Sequence, residues 1–519
     1  MGTDSDSGVR EGLSSVTRGT LWLLVGTLFL VGLTFVYRVI LVRDISPGAW
    51  SAFSFGIALA GLLSAFGTLG LPSAVARNIP YATSDDERRG YVRGTLLVGS
   101  VAAAGISIAL WASAPAIGRA LGQPDIGLGL QYFPVAVACS IVVTLIASIF
   151  QGYEDVIPNA LFVQVVNPAL FVAFLGVAVF DPALGLSFTD ALIAYALANA
   201  LTLGLLIVYL AIRLPRHLPA GPRAPGAMGR LVRFAAPLFV VGIMATVTGS
   251  GDTLILGVYH ASEVGTYAAS LTLARLLQIG IGALGYIFLP VAAKFLRQND
   301  GRSVVLTYTT VTKWMILISL PLFLLFFFLP SASLDFVYGS SYSLVIVPLQ
   351  IAVLGAFATT LVGPSNTAQV AYGQTRLLMY NAVVSGVTDV LVSLWLVPSL
   401  GYAGAAVAWA CANALYAALS LAQLSLLSGV HPFRRHFVVP VLATGLPVGV
   451  LLAVFHPRIP LLALPALGLG IAGLFVVLVL VTHSIDDGDR LLLEAVERIL
   501  GRPLPFLRRL GRYGLPGRN

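Results

Sequence analysis

Fourteen separate stretches of this sequence stay apolar for about 20 residues or more, and that pattern constrains the fold more than any other feature. They lie at 19–42, 48–71, 94–116, 127–151, 158–180, 189–212, 232–257, 264–289, 305–330, 343–370, 377–398, 402–428, 437–455 and 459–482. A helix of about 20 apolar residues crosses the hydrocarbon core of a bilayer. Inside that core every backbone polar group must be satisfied within the protein, so a chain built this way crosses as helices. The first stretch, Gly19 to Val42, is too long for a signal-peptide core, and no small-residue cleavage site follows it. Composition closes the soluble alternative: 58% of the residues are hydrophobic and only 10% are charged, against roughly 25% charged in an ordinary soluble domain. The fold class is an all-α polytopic membrane protein of about fourteen spans. Connections are short and marked by Pro and Gly, as at Ser46-Pro47-Gly48 and from Pro222 to Pro225, and none can hold a soluble domain.

The net charge of +8 does not point to nucleic acid. Nearly all the basic residues are Arg, with Lys only at 294 and 313, and they sit between apolar blocks without interleaved aromatics. They read as topogenic charge. With the N-terminus cytoplasmic, 24 of the 30 basic residues fall on the cytoplasmic side, and only Arg43, Arg119 and Arg458 fall on the other. The positive-inside rule then places both termini in the cytoplasm and makes the span count even. Cys139 and Cys411 lie inside apolar blocks and read as small apolar packing residues rather than a disulfide or zinc pair. From Asp486 the tail reads as an interfacial helix, with Leu492, Val496 and Ile499 on one face, or as a solvated tail that anchors topology.

The chain also repeats itself. At an offset of 214, Leu59-Ala60-Gly61-Leu62-Leu63 falls on Leu273-Ala274-Arg275-Leu276-Leu277. Four residues are then inserted, about one helical turn, and Leu71-Pro72-Ser73-Ala74 falls on Leu289-Pro290-Val291-Ala292. The offset equals six spans, an even number, so the repeats run parallel about an axis along the membrane normal. The predicted organisation is a cytoplasmic segment 1–18, an N-lobe 19–213, a linker 214–231, a C-lobe 232–428, two extra helices over 429–482 and a basic tail 483–519. Two six-helix lobes of this kind are a transporter layout, with sites between the repeats.

Three segments resemble a known family. Gly251-Asp252-Thr253-Leu254-Ile255-Leu256-Gly257 followed by Glu263-Val264-Gly265-Thr266-Tyr267-Ala268 is similar to the helix 7–8 signature of the polysaccharide and oligosaccharide flippases. These belong to the multidrug/oligosaccharidyl-lipid/polysaccharide exporter (MOP) superfamily. The run from Leu396 to Ala406, with Pro398, Gly401 and Gly404, resembles their helix 11–12 turn, and Leu69 to Arg77 the end of their helix 2. The resemblance implies two lobes around a cavity that flips an undecaprenyl- or dolichyl-linked sugar across the plasma membrane. It also implies glycan-assembly enzymes as neighbours. The residues alone assign Pro398 to stopping helix 11, and Gly401 and Gly404 to a tight reversal.

An ionisable side chain at bilayer depth costs about 2.5–3.5 kcal/mol on insertion scales, so it normally faces a cavity or a partner. Arg275 and Asp389 lie near the middle of spans 8 and 11, and Arg38 and Asp252 in the outer parts of spans 1 and 7. Arg275 is the leading substrate-binding candidate, because a guanidinium grips phosphate oxygens in pairs and keeps its charge when desolvated. The alternative is a structural ion pair with Asp389 or a bond to a helix-end carbonyl. Asp389 reads either as counter-ion to Arg275 or as the carboxylate for a coupling cation. Arg38 and Asp252 are equivalent under the 214 offset and suggest an inter-lobe gate; the plainer alternative is two separate interfacial charges. Lys313 is expected to snorkel to the interface and is given no role.

No catalytic constellation stands out: there is no G-x-x-x-x-G-K-[ST] loop, H-E-x-x-H or C-x-x-C, and the six His are scattered. No cofactor, metal or nucleic acid is expected. The competing reading is a cation-coupled multidrug antiporter of the same superfamily, which usually has twelve spans.

Overall fold

The computed structural model describes residues 4–179, 186–217, 226–342, 345–455, 460–485, 488–489 and 497. Among them every regular element is helical. In the first half the helices are α1 (Asp4–Asp44), α2 (Pro47–Thr68), α3 (Leu71–Tyr81), α4 (Asp85–Ala120), α5 (Pro124–Gly152), α6 (Asn167–Val179) and α7 (Phe188–His217). A π-helical stretch, Asn159–Val166, leads directly into α6. The second half holds α8 (Ala227–Tyr259), α9 (Val264–Leu276), α10 (Ile279–Arg297), α11 (Gly301–Phe328), α12 (Pro330–Tyr338), α13 (Ile346–Val362) and α14 (Ser365–Ala371). It ends with α15 (Thr375–Leu400), α16 (Tyr402–Ser428), α17 (Arg435–Phe455) and α18 (Leu464–Val481).

Thirteen helical segments among the described residues are long and apolar enough to span a bilayer. This is a multi-pass membrane protein. They correspond to thirteen of the fourteen sequence blocks. The exception is 264–289, expected as one helix and instead cut into α9 and α10 by a turn at Leu277–Gln278. The cut falls where the internal repeat needs its four-residue insertion, so the extra turn is spent on a break rather than on a longer helix. Span 10 is interrupted in the same way at Gly363–Pro364, between α13 and α14.

Two further expectations are corrected. Pro398 does not stop span 11: α15 continues to Leu400. The missing N–H of Pro398 costs one i→i−4 bond without ending the helix, and the reversal is made by Gly401, whose φ is +54°. A side chain at Gly401 would strike the Glu263 carboxylate, which accepts a bond from the Tyr402 N–H at 2.8 Å. Cys139 is buried as expected, but Cys411 is exposed on the protein surface, so only one of them packs in the interior. The tail helix expected from Asp486 onward lies mostly outside the described residues.

By packing, the chain forms two compact units. One comprises 21–268 with 393–405, and the other 1–20, 269–392 and 406–519. The units do not follow the repeat, because α8 and the start of α9 pack with the first six spans. In the first unit, rings of Tyr37, Trp50, Phe53, Phe133, Phe171 and Tyr195 stack and tilt against one another at centroid distances of 5.0–6.2 Å. Gly70 lets α8 approach: its φ is +70°, and a Cβ there would lie 2.5 Å from the Ala235 carbonyl oxygen and 2.7 Å from the Phe239 nitrogen. In the second unit, α10 and α11 pack through Phe288, Tyr308, Val311 and Met315, all fully buried. Lipid-facing positions such as Trp111, Trp395, Leu426 and Leu462 stay exposed, as expected where the solvent is hydrocarbon.

Candidate functional site

The break between α9 and α10 is stabilised from α13. Gln278 donates its side-chain amide to Thr359 Oγ1 at 2.9 Å, and Thr360 Oγ1 donates to the Leu277 carbonyl at 3.4 Å. Backbone bonds close the turn, from Leu277 N–H to the Ala274 carbonyl and from Gln278 N–H to the Arg275 carbonyl. Thr360 thus meets a backbone carbonyl that the continuous helix would have bonded, which a membrane requires of any interrupted segment, while Thr359 holds the Gln278 side chain. On the other side, α13 ends at Gly363, whose φ of +78° and close approach to Thr312 exclude a side chain. Tyr308 OH donates to the carbonyl of Val362, the last residue before that break.

Between the two breaks lies a cavity of about 580 Å³. Its polar lining comes from Gln278, Thr359, Ser365, Asn366, Thr367 and Asn413, with Tyr416 supplying an aromatic wall. Among the described residues none that lines it is charged. Arg275 is half-buried in the last turn of α9, one helical turn before Gln278. Asp389 is fully buried on α15, one turn after Ser385, whose hydroxyl donates to the Ala412 carbonyl at 2.8 Å. These two predicted residues belong to the second unit; Arg38 and Asp252 belong to the first.

Asp252 is fully buried on α8. It accepts from the Tyr267 hydroxyl, from the Thr253 N–H at 2.6 Å and from the Thr253 hydroxyl at 3.2 Å. Beside it, Trp50 Nε1 donates to the Gly265 carbonyl at 2.8 Å, and Ser51 Oγ accepts from the Gly265 N–H at 2.9 Å. A side chain at Gly265 would collide with both Ser51 and Trp50. The segment from Asp252 to Tyr267 that carries the family resemblance is therefore one hydrogen-bonded knot joining α8 and α9 to α2. Arg38 is half-buried on α1, with Nε 3.5 Å from the Tyr37 hydroxyl.

One expectation is overturned at Lys313, and one group, at Glu87, went unread in the sequence. Lys313 does not reach the interface; it is 1% exposed and donates to the Ser484 carbonyl at 2.7 Å and to Asp489 at 2.6 Å. Trp314 Nε1 takes the other Asp489 oxygen at 2.6 Å. Snorkelling is unnecessary where a carboxylate comes to the amine. On α4, Ser84 caps the helix by accepting from the Glu87 N–H, and Glu87 accepts from Thr83, Tyr91 and, at 2.9 Å, Arg230 of α8. The apolar stretch of α4 runs over 94–116, and the charged first turn with Asp85, Asp86 and Glu87 precedes it, outside the hydrocarbon core. There the hydrogen bond from Tyr91, with those from Thr83 and Arg230, lowers the Glu87 pKa to about 2. The cavity itself had a signal in the sequence: a four-residue insertion after Leu277 and a Gly-Pro pair inside span 10. Interrupted apolar segments are a pointer to transporter sites.

The profile of the family described as polysaccharide biosynthesis protein matches residues 16–296, more than half of the chain. The chain belongs to this family. Its fold is that of the MOP superfamily, as solved structures agree. The lipid II flippase MurJ in an inward closed conformation matches with a TM-score of 0.69 at 12% identity, over 87% of this chain and 97% of MurJ. An inward-facing multidrug resistance MATE family transporter matches at 0.59 and 13% identity, over 80% of this family member and 98% of the transporter. The MATE multidrug transporter DinF-BH matches at 0.55 and 14% identity, over 80% and 95%. No curated protein matches in sequence.

Proposed function

We propose that this member of the polysaccharide biosynthesis family is a flippase. It would carry a polyprenyl- or dolichyl-phosphate-linked sugar from the cytoplasmic to the outer leaflet of the plasma membrane by alternating access, supplying surface polysaccharide or glycoprotein synthesis. Both termini are cytoplasmic in this reading. The family match over residues 16–296 is the observation that carries it.

Arg275 takes the lipid phosphate. Its support is position: a half-buried guanidinium at a helix break, one turn from a cavity lined by neutral polar groups. Asp389 serves the same side of the reaction, as counter-charge or as the carboxylate of a coupling cation. Arg38 and Asp252 form the outer gate.

The test is reconstitution. Vesicles carrying the wild-type protein should move undecaprenyl-diphosphoryl N-acetylglucosamine between leaflets. Arg275→Ala should abolish that movement with the protein still inserted, and Arg275→Lys should restore only part, since lysine keeps the charge but loses the planar two-oxygen grip. Cation-driven export of drugs with no movement of lipid-linked sugar would replace this reading with the antiporter.

A further inference from the structure

We infer that the neutral cavity between the α9–α10 and α13–α14 breaks is a subsite for the sugar of the transported lipid, distinct from the residue that takes its phosphate. The inference rests on the flippase reading for its substrate class and on the chemistry of the walls for its position.

The lining is unusual for the interior of a membrane protein. Amides and hydroxyls from Gln278, Thr359, Asn366, Thr367 and Asn413 face a cavity of about 580 Å³, and among the described residues no charged side chain joins them. The described lining offers no counter-charge to a phosphate or a cation. Sugar hydroxyls are each donor and acceptor at once, and so are amide and hydroxyl side chains. Among the described residues the side chain of Gln278 makes one hydrogen bond, to Thr359, and that of Asn413 makes one, to the Trp409 carbonyl at 2.9 Å. An amide has four hydrogen-bonding positions, so capacity remains on both. Tyr416 gives an apolar face of the kind that covers the C–H side of a pyranose, and the volume lies in the usual range for small-ligand pockets.

The walls are also kept bare. At Gly285 a Cβ would sit 3.3 Å from Thr367 Oγ1, so any larger residue would fill the cavity from α10. Gly363 at the opposite break has no room for a side chain at all. The helix breaks themselves admit a ring to depths that continuous helices would close, and irregular backbone at bilayer depth is tolerated where it lines such a space. Arg275, one turn before Gln278, lies on the same chain segment as the cavity edge, which orders phosphate site and sugar site along one substrate.

Binding to the full chain in lipid nanodiscs tests this, with undecaprenyl diphosphate and undecaprenyl-diphosphoryl N-acetylglucosamine as paired probes. The wild type should hold the glycosylated lipid at least about tenfold tighter than the bare one, the scale of one or two net hydrogen bonds. Gln278→Ala combined with Asn413→Leu, and separately the cavity-filling Gly285→Val, should erase that difference while leaving affinity for the bare lipid unchanged. A variant with correct folding that keeps the difference, or a wild type that shows none, overturns the subsite. If the wild type binds neither lipid, the flippase reading fails and the cavity is decided separately. On a Cys411→Ser background, Thr367→Cys should be shielded from a maleimide by free N-acetylglucosamine or glucose. Shielding upholds a sugar site; equal labelling with and without sugar overturns it.

Discussion

Both halves of the repeat interrupt their second span, and they do so for opposite purposes. In the first half, α2 passes to α3 through Leu69 and Gly70, both at positive φ. The backbone of α8 then comes close enough to Gly70 that no side chain fits. In the second half the residue matching Gly70 is Phe288, buried in an unbroken α10. The interruption has moved back to Leu277–Gln278, and instead of admitting a helix it borders a cavity. One break closes space and the other keeps it open. A duplicated framework has been specialised by relocating a single turn.

The largest effect should separate the two breaks. Gly70→Ala demands a left-handed conformation of a residue with a Cβ, about 1–2 kcal/mol, and adds a collision with backbone that cannot rotate away. We expect a loss of roughly 2–5 kcal/mol, seen as failure to survive detergent extraction or a large fall in Tm. Gln278→Ala removes one half-buried hydrogen bond, worth about 0.5–1.5 kcal/mol, and should leave a folded protein with impaired transport. Equal loss of stability in the two variants would end the distinction.

A smaller effect sharpens the comparison at matching charges. Arg38 and Asp252 occupy equivalent positions of the repeat, and the gate proposal expects Arg38→Asp with Asp252→Arg to transport better than either single change. A coupling of about 1–3 kcal/mol in a double-mutant cycle is the expected size. Tyr267→Phe is the control, because Tyr267 donates to Asp252. If it reproduces Asp252→Asn and the swap rescues nothing, Asp252 belongs to the α8–α9 knot and not to a gate.

The smallest effect concerns the third span of each half, which both begin on a side-chain cap. Ser84 does this with Glu87 in the first half, and Asp300 accepts from the Ser303 N–H at 3.0 Å in the second. The Ser303 hydroxyl and N–H together hold the Asp300 pKa below its ordinary value. Glu87 is lowered from 4.5 to about 2, so its stabilisation is fully present above about pH 4.5 and is lost as pH falls toward 2. Acidification over that window should loosen α4 from α8, and Glu87→Gln should remove most of the dependence. Hydrogen exchange at the start of α4 would record it; an unchanged pH profile in the variant would assign the transition to other carboxylates.

These contrasts show what the sequence could carry. Apolar length and the placement of arginines are local quantities, and they were enough for the spans and the all-helical fold. The repeat exposed the insertion after Leu277, but its meaning needed Thr359 and Thr360, some eighty positions away. Gln278 and Asn413 look like isolated polar residues in apolar runs until the cavity joins them. Glu87 and Arg230 are 143 residues apart, and nothing in either neighbourhood announces the other. Arg275, Asp389, Arg38 and Asp252 stood out because charge is scarce here; the neutral lining of the cavity had no such contrast.

The clasp around Lys313 sets an order of events for biogenesis. The lysine enters with the ninth span, but its carbonyl and carboxylate partners follow 171 and 176 residues later, beyond the last span. During the interval the ammonium has no native acceptor from that segment, and leaving such a charge in hydrocarbon costs about 2.5–3.5 kcal/mol. A half-made chain therefore carries an ammonium whose partners in the final segment have yet to arrive. The segment after the two extra helices thereby completes the surroundings of the ninth span, and a version truncated to twelve spans would leave the Lys313 ammonium without the Ser484 carbonyl and the Asp489 carboxylate.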